Sequence, residues 1–164
     1  MAKLGGGWKP HLHIAIRNTI MNIIDSFNGP NRWLSNFYTA KVVYDDVEYS
    51  SVENAYQASK TLDKTIRNEI KFVSPAEAKR IGRRIDLRPN WDTIKLHIMW
   101  VLVMQKFTRH PDLAAKLIAT GNCLIVEGNE WGDTYWGVCN GHGYNHLGLI
   151  LMGVRSLIIP KISD

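Results

Sequence analysis

Three residues at helical spacing could share one piece of chemistry. Glu53, Tyr56 and Lys60 fall in the run SSVENAYQASK, three and then four residues apart. On an α-helix that spacing puts a carboxylate, a phenol and an ammonium on one stripe. A carboxylate beside an amine can stabilise a developing positive charge, move a proton, or activate the amine as a nucleophile. The plainer reading is a glutamate satisfying the helix dipole and an exposed lysine, and spacing alone favours it.

Other carboxylates need the same weighing. Glu127 ends the apolar run CLIVE, either at a sheet rim in water or aimed into a cleft. Asp133 lies in residues 131–148, which hold two tryptophans, two tyrosines, five glycines and no other acid. Its plainer role is a turn aspartate bonded to its own backbone. Trp91, Trp131 and Trp136 are flat enough to sandwich a base, although most tryptophans fill cores. Asn145 begins a helix after a glycine-rich stretch, so free N–H groups there could meet phosphate. Arg32, Lys79, Arg83, Arg84 and Arg88 could add charge, or simply face solvent.

Several templates fail. Gly141, Gly143 and Gly148 miss the dinucleotide fingerprint, because its third glycine would fall at position 146, a histidine. His142 and His146 are four apart, but Gly143 follows the first, so the zinc-protease helix is excluded. A metal site of Cys139, His142 and His146 is a minor alternative. So is a thiol mechanism, since neither Cys123 nor Cys139 has a neighbour pattern that marks a nucleophile.

The elements that position these groups can be read coarsely. Residues 19–27 lean towards a strand, and 28–38 are loop. Runs on either side of Asp45-Asp46 predict a hairpin. Helices are expected at the serine-capped 50s, at Lys64–Val73, after Ser74 with a capping box to Glu77, and after Asn90. The Asn90 helix is apolar almost all round beyond Leu96 and should run through the core. Two more follow, one closed by Gly121 and one from about Asn145 to Ile158, with a short strand at CLIVEG between. The fold class is therefore α+β: mostly helices around a small antiparallel sheet.

The 164 residues suit one domain, with residues 1–18 as a flexible lead-in and 19–164 as the functional unit. No apolar run approaches a membrane span and no signal core opens the chain, so a cytoplasmic protein without a membrane partner is expected. Two cysteines make no disulfide framework. A net charge of +5 favours anionic partners such as phosphates, nucleotides or nucleic acid.

Six blocks in order carry a resemblance: WLSNFY, YSSVENAYQASK, AKRIGRRIDLRPNWDTIK, KFTRHPDLAAKLIATG, IVEGNEWGDTYWG and GYNHLGLILMGVR. Together they resemble the NADAR, or YbiA-like, family of N-glycosidases over roughly residues 20–158. The resemblance implies a mostly helical α+β domain that hydrolyses N-glycosidic bonds. Its substrates would be phosphoribosylamino intermediates of riboflavin synthesis or ADP-ribosylated guanine, with ADP-ribosylated DNA as a partner. It also implies a set of site positions: Asn36 and Phe37, Glu53, Lys60, Trp91 and Asp92, Glu127, Asp133, Trp136 and Asn145. Two departures bear on the base pocket: Asn54, where many relatives have histidine, and Trp131, inserted close to the acid.

On that reading Glu53 and Asp133 act as acid–base or charge-stabilising groups, and Lys60 as nucleophile or electrostatic partner. Direct water attack and a lysine Schiff base use the same residues. Tyr56 shares their face, Trp91 and Trp136 wall the base and ribose, and Asn36, Glu127 and Asn145 take hydroxyls or phosphate oxygens. Neither metal nor organic cofactor is needed. The alternative is an ADP-ribose or nucleotide reader without turnover, which could dispense with Lys60 and Asp133.

Overall fold

Ser51 starts the element around which the rest is built. Its hydroxyl accepts the Asn54 N–H and caps α1, Val52–Ser59, which is buried at every position. A helix buried all round must put its polar residues against other elements. Three helices and a hairpin supply those surfaces. The computed structural model describes residues 22–159. Residues 19–21 and the lead-in expected over 1–18 lie outside that range.

The hairpin is β2, Val42–Tyr44, paired antiparallel with β3, Val47–Tyr49. Asp45 and Asp46 both adopt positive φ at its tip, the geometry a tight two-residue hairpin needs. Helix α2, Lys64–Phe72, is capped by Asp63, and α3, Pro75–Gly82, by Ser74. Only half of the expected capping box forms. Ser74 accepts the Glu77 N–H, but the Glu77 carboxylate turns to Arg80.

Helix α4, Trp91–Arg109, crosses the core through Ile98, Met99, Leu102, Val103 and Phe107. It is less evenly apolar than its sequence suggests, since Leu96 and Val101 stay exposed. Asn90 sits at its start in the left-handed conformation, and its side chain makes no cap bond. Helix α5, Pro111–Ala119, and helix α6, His146–Ile158, pack on α4.

The sheet differs from expectation. Among the described residues there is no single antiparallel sheet but three two-stranded ribbons, of which only the hairpin is antiparallel. Strand β1, Ile23–Ile24, pairs in parallel with β4, Leu124–Ile125. Strand β5, Gly128–Asn129, pairs in parallel with β6, Val138–Cys139, and closes the base of the loop that carries Asp133. The α+β class stands. No described helix is long and apolar enough to cross a membrane.

Candidate active site

A cavity of about 660 Å³ opens where α1, α3, α4 and the 128–139 loop meet. The 53, 56, 60 stripe of α1 forms one side of it. Glu53 is 5% exposed, and burial raises its pKa against the smaller effect of a hydrogen bond from Gln57 Nε2 at 2.8 Å. Lys60 is half-buried. Burial lowers its pKa, the Glu53 charge opposes that, and Lys79 and Arg83 lower it further. Its ammonium donates to the Gly82 carbonyl at 3.2 Å and lies 5.7 Å from the Tyr56 ring centre. Glu53 and Lys60 make no ion pair among the described residues, although both line the cavity.

Opposite stands the aromatic loop. Tyr56 packs on Trp91 at 5.3 Å and edge-on to Trp136 at 5.5 Å, so the two indoles and the phenol form one wall. Asp133 reaches the same space, yet also behaves as the turn aspartate that its sequence context allows. Its Oδ1 accepts the N–H groups of Tyr135 and Trp136 at 3.1 and 2.9 Å. Asn129 holds the loop from beneath, accepting the Asp133 N–H and donating to the Asp133 carbonyl. The glycines serve close approach: a Cβ on Gly137 would stand 2.1 Å from the Glu127 carbonyl. An aromatic wall, a bendable backbone and one carboxylate thus share a stretch because the loop must fold tightly over a pocket.

Glu127 is a second perturbed acid of the site. Burial, with the Asp133 charge beside it, pushes its pKa up to about 8. Its Oε2 is buried and lacks a hydrogen-bond partner. A carboxyl in that condition is protonated at neutral pH, and can donate. At the outer edge Arg32, Lys79 and Arg83 give the cavity a cationic side. The Lys79 ammonium lies 5.5 Å from the Phe37 ring and 5.9 Å from Trp131, whose indole is 62% exposed.

Nine of the eleven site residues expected from the sequence line this cavity: Asn36, Phe37, Glu53, Tyr56, Lys60, Trp91, Glu127, Asp133 and Trp136. Two do not. Asp92 points into solvent, 86% exposed, and pairs with Lys95. Asn145 is a clamp: its side chain accepts the Glu127 N–H and donates to the Ile125 carbonyl. The leading N–H groups at the start of α6 are taken as well. Those of Asn145, His146 and Leu147 already meet the carbonyls of Gly137, Tyr135 and Trp136.

Asn54 does not touch the pocket either. Its amide donates to the carbonyls of Ile70 and Val73 at 2.9 Å, tying α1 to the end of α2. The departure at position 54 is therefore structural here. Among the described residues no group of three His, Cys, Asp or Glu side chains gathers as a metal site. His146 instead packs against Tyr135 and Tyr144. Of the arginine run, Arg88 turns away to the Tyr44 hydroxyl.

Gln57 was missed by the sequence reading, although it lies four residues from Glu53 and so on the same stripe. It holds the Glu53 carboxyl and fills the space over Gly82, where a Cβ would come within 1.9 Å of its Oε1. Met99, Lys95 and Tyr135 also line the cavity and carried no signal beyond helix period or aromatic type.

A family model for the NADAR domain matches residues 25–159. The chain is 37% identical over 151 residues to N-glycosidase YbiA of Shigella boydii, covering 89% of this chain and 93% of that protein. It is 37% identical over 141 residues to an N-glycosidase of Nostoc punctiforme, covering 82% and 90%. A riboflavin biosynthesis protein of Vibrio vulnificus is 33% identical over 147 residues, 85% of this chain and 40% of that protein. The NMR structure of E. coli YbiA superposes with a TM-score of 0.75 at 34% identity, over 88% of this chain and 89% of that one. The family match runs through every residue that lines the cavity, and the chain belongs to the NADAR domain family.

Proposed function

We propose that the chain is an N-glycosidase that cleaves the bond between a phosphorylated ribose and a nitrogen. The candidate substrates are ADP-ribosylated guanine and phosphoribosylamino compounds. The observation that carries this reading is the convergence of Glu53, Lys60, Glu127 and Asp133 on one indole-walled cavity with a cationic rim. The names of the YbiA and riboflavin-pathway relatives support it.

Cleavage of an N-glycosidic bond builds positive charge at the anomeric carbon, and the nitrogen leaves with a proton. Asp133 supplies the negative field for that charge, and Glu53, pushed by burial towards its protonated form, stands beside it as an acid–base group. Glu127, assigned to ribose hydroxyls from the sequence, fits better as the proton donor, because its buried carboxyl is neutral at pH 7. Trp91, Tyr56 and Trp136 wall the base and sugar. Lys79 and Arg83 stand where a phosphate would be held, while Asn36 and Phe37 meet the sugar or base.

Two routes share these groups. Water can attack the anomeric carbon as the C–N bond breaks. Alternatively, a ribosylamine opens its ring to an imine. The Lys60 amine adds to that carbon, the base nitrogen leaves as an amine, and water then hydrolyses the lysine imine. Burial of Lys60 favours the neutral amine that this route needs. Borohydride added during turnover separates them: a reduced ribose adduct on the Lys60 peptide marks the imine route, and its absence during active turnover marks direct attack.

A pure ADP-ribose reader is the weaker reading. A buried, unpartnered carboxyl such as Glu127 costs stability and would do nothing for binding alone. The reading is tested by mass spectrometry of products from ADP-ribosylated guanosine and a phosphoribosylaminopyrimidine. Equal amounts of guanosine and ADP-ribose from the first, or of aminopyrimidine and ribose phosphate from the second, are expected from at least one. Binding of both without release would return the chain to the reader class.

A further inference from the structure

Lys106 is buried to 1% exposure near the end of α4, outside the cavity lining. Its ammonium donates to the Ser35 carbonyl at 2.8 Å and lies 5.6 and 5.4 Å from the ring centres of Tyr38 and Phe107. No described carboxylate pairs with it. Burial pushes its pKa down to about 7. An ammonium held by one carbonyl in an apolar setting is poorly compensated for the water it loses, and an unbranched apolar side chain would suit the same core position better.

What the charge touches suggests its use. Ser35 opens the turn that brings Asn36 and Phe37 to the cavity wall. The Phe37 N–H donates to the Ser35 hydroxyl at 3.2 Å, and the Asn36 carbonyl accepts the Glu53 N–H at 3.0 Å. The Asn36 side chain itself is held only by a contact from Nδ2 to the Met99 sulfur, and its Oδ1 has no partner. A thioether is a weak acceptor. The Lys106 N–H to the Ser35 carbonyl at 2.8 Å is therefore the strongest side-chain anchor from α4 onto this turn.

We infer that Lys106 is a positioning residue for the site, its ammonium acting through the Ser35 carbonyl to fix the turn that presents Asn36 and Phe37 to substrate. It sacrifices fold stability to hold a binding surface. Its kinetic effect rests on the glycosidase reading, whereas its effect on the turn does not.

The test compares Lys106→Met and Lys106→Gln with the wild-type chain. In Lys106→Met the melting temperature should stay level or rise. The Phe37 and Glu53 amides should exchange hydrogen about tenfold faster, while those of Leu102 and Val103 keep their protection. KM for ADP-ribosylated guanosine should rise about tenfold, with kcat changed by less than about threefold. Lys106→Gln keeps an N–H donor and should recover part of both effects. Unchanged exchange at Phe37 and Glu53 would overturn the inference, whatever the kinetics. So would a lowered melting temperature with faster exchange throughout, or failure of both variants to fold, since each marks a purely structural lysine. A wild-type chain that hydrolyses no riboside would sink the glycosidase reading and leave exchange at the two amides to decide Lys106.

Discussion

Adjacent residues of α1 face opposite fates. Asn54 sits in a fully answered environment: Ser51 donates to its Oδ1 at 2.6 Å, and its Nδ2 donates to two carbonyls of α2 and the turn beyond. Glu53, one position earlier and a third of a turn around, points into a cavity with a raised pKa. Gln57 and Asn36 beside it each keep a buried acceptor without a partner. Both sides of the helix are polar and both are buried. What separates them is satisfaction. Where every hydrogen bond closes, polar residues hold the fold together; where an acceptor stays open beside the cavity, it can take a bond from substrate.

That contrast can be broken from either side. The largest effect belongs to Asp133. Asp133→Asn keeps an acceptor for the Tyr135 and Trp136 N–H groups and removes the charge. Turnover of an N-riboside should fall about 10²-fold or more, with the melting temperature little changed. An unaltered rate would move the acid role off the loop altogether.

Glu127→Gln comes next, at roughly tenfold or more in turnover if the proton it gives is replaced only partly by water. Its stability signature has a definite sign. The folded carboxyl holds its proton up to about 8, whereas an unfolded glutamate releases it near ~4.3. The folded state therefore binds the extra proton between those values, and stability falls as pH rises through that window. The glutamine variant lacks this loss. Its melting temperature should gain on the wild type from about pH 4 to about pH 8 and then run parallel. Parallel curves throughout would mean that Glu127 is ionised in the folded protein.

Asn54→Ala should invert the pattern. Leaving two buried carbonyls at the end of α2 unanswered costs about 1–3 kcal/mol, read as a lower melting temperature. The rate per folded molecule should stay within about threefold, because Asn54 lies outside the cavity lining. The smallest effect is at Asp92. Asp92→Ala removes an exposed pair with Lys95, worth less than about 1 kcal/mol, and both rate and stability should be near wild type.

These outcomes also show what could be read from the chain alone. The 53, 56, 60 stripe was legible because helical period is a local signal, and the same period marks Gln57. Asp133 was ambiguous in sequence because one residue both makes the turn bonds and lines the cavity. Asn145 was misread because a helix start advertises free N–H groups only if nothing covers them. The covering carbonyls come from residues 135–137, placed there by tertiary folding. The ribbons failed for a related reason. Ile23 pairs with Leu124 across most of the chain, over strands of two residues, and no local pattern encodes such a pairing. Lys106 had no signal either, since a lysine near a helix end ordinarily faces water.

Lys60 gives the most direct test of what the open side of α1 is for. The measurement is the rate of ADP-ribose release from ADP-ribosylated guanosine by Lys60→Ala, at a melting temperature matching wild type. A fall of about 10²-fold is expected whether the amine acts as nucleophile or as a charge. A folded variant that releases ADP-ribose at close to the wild-type rate would contradict the account.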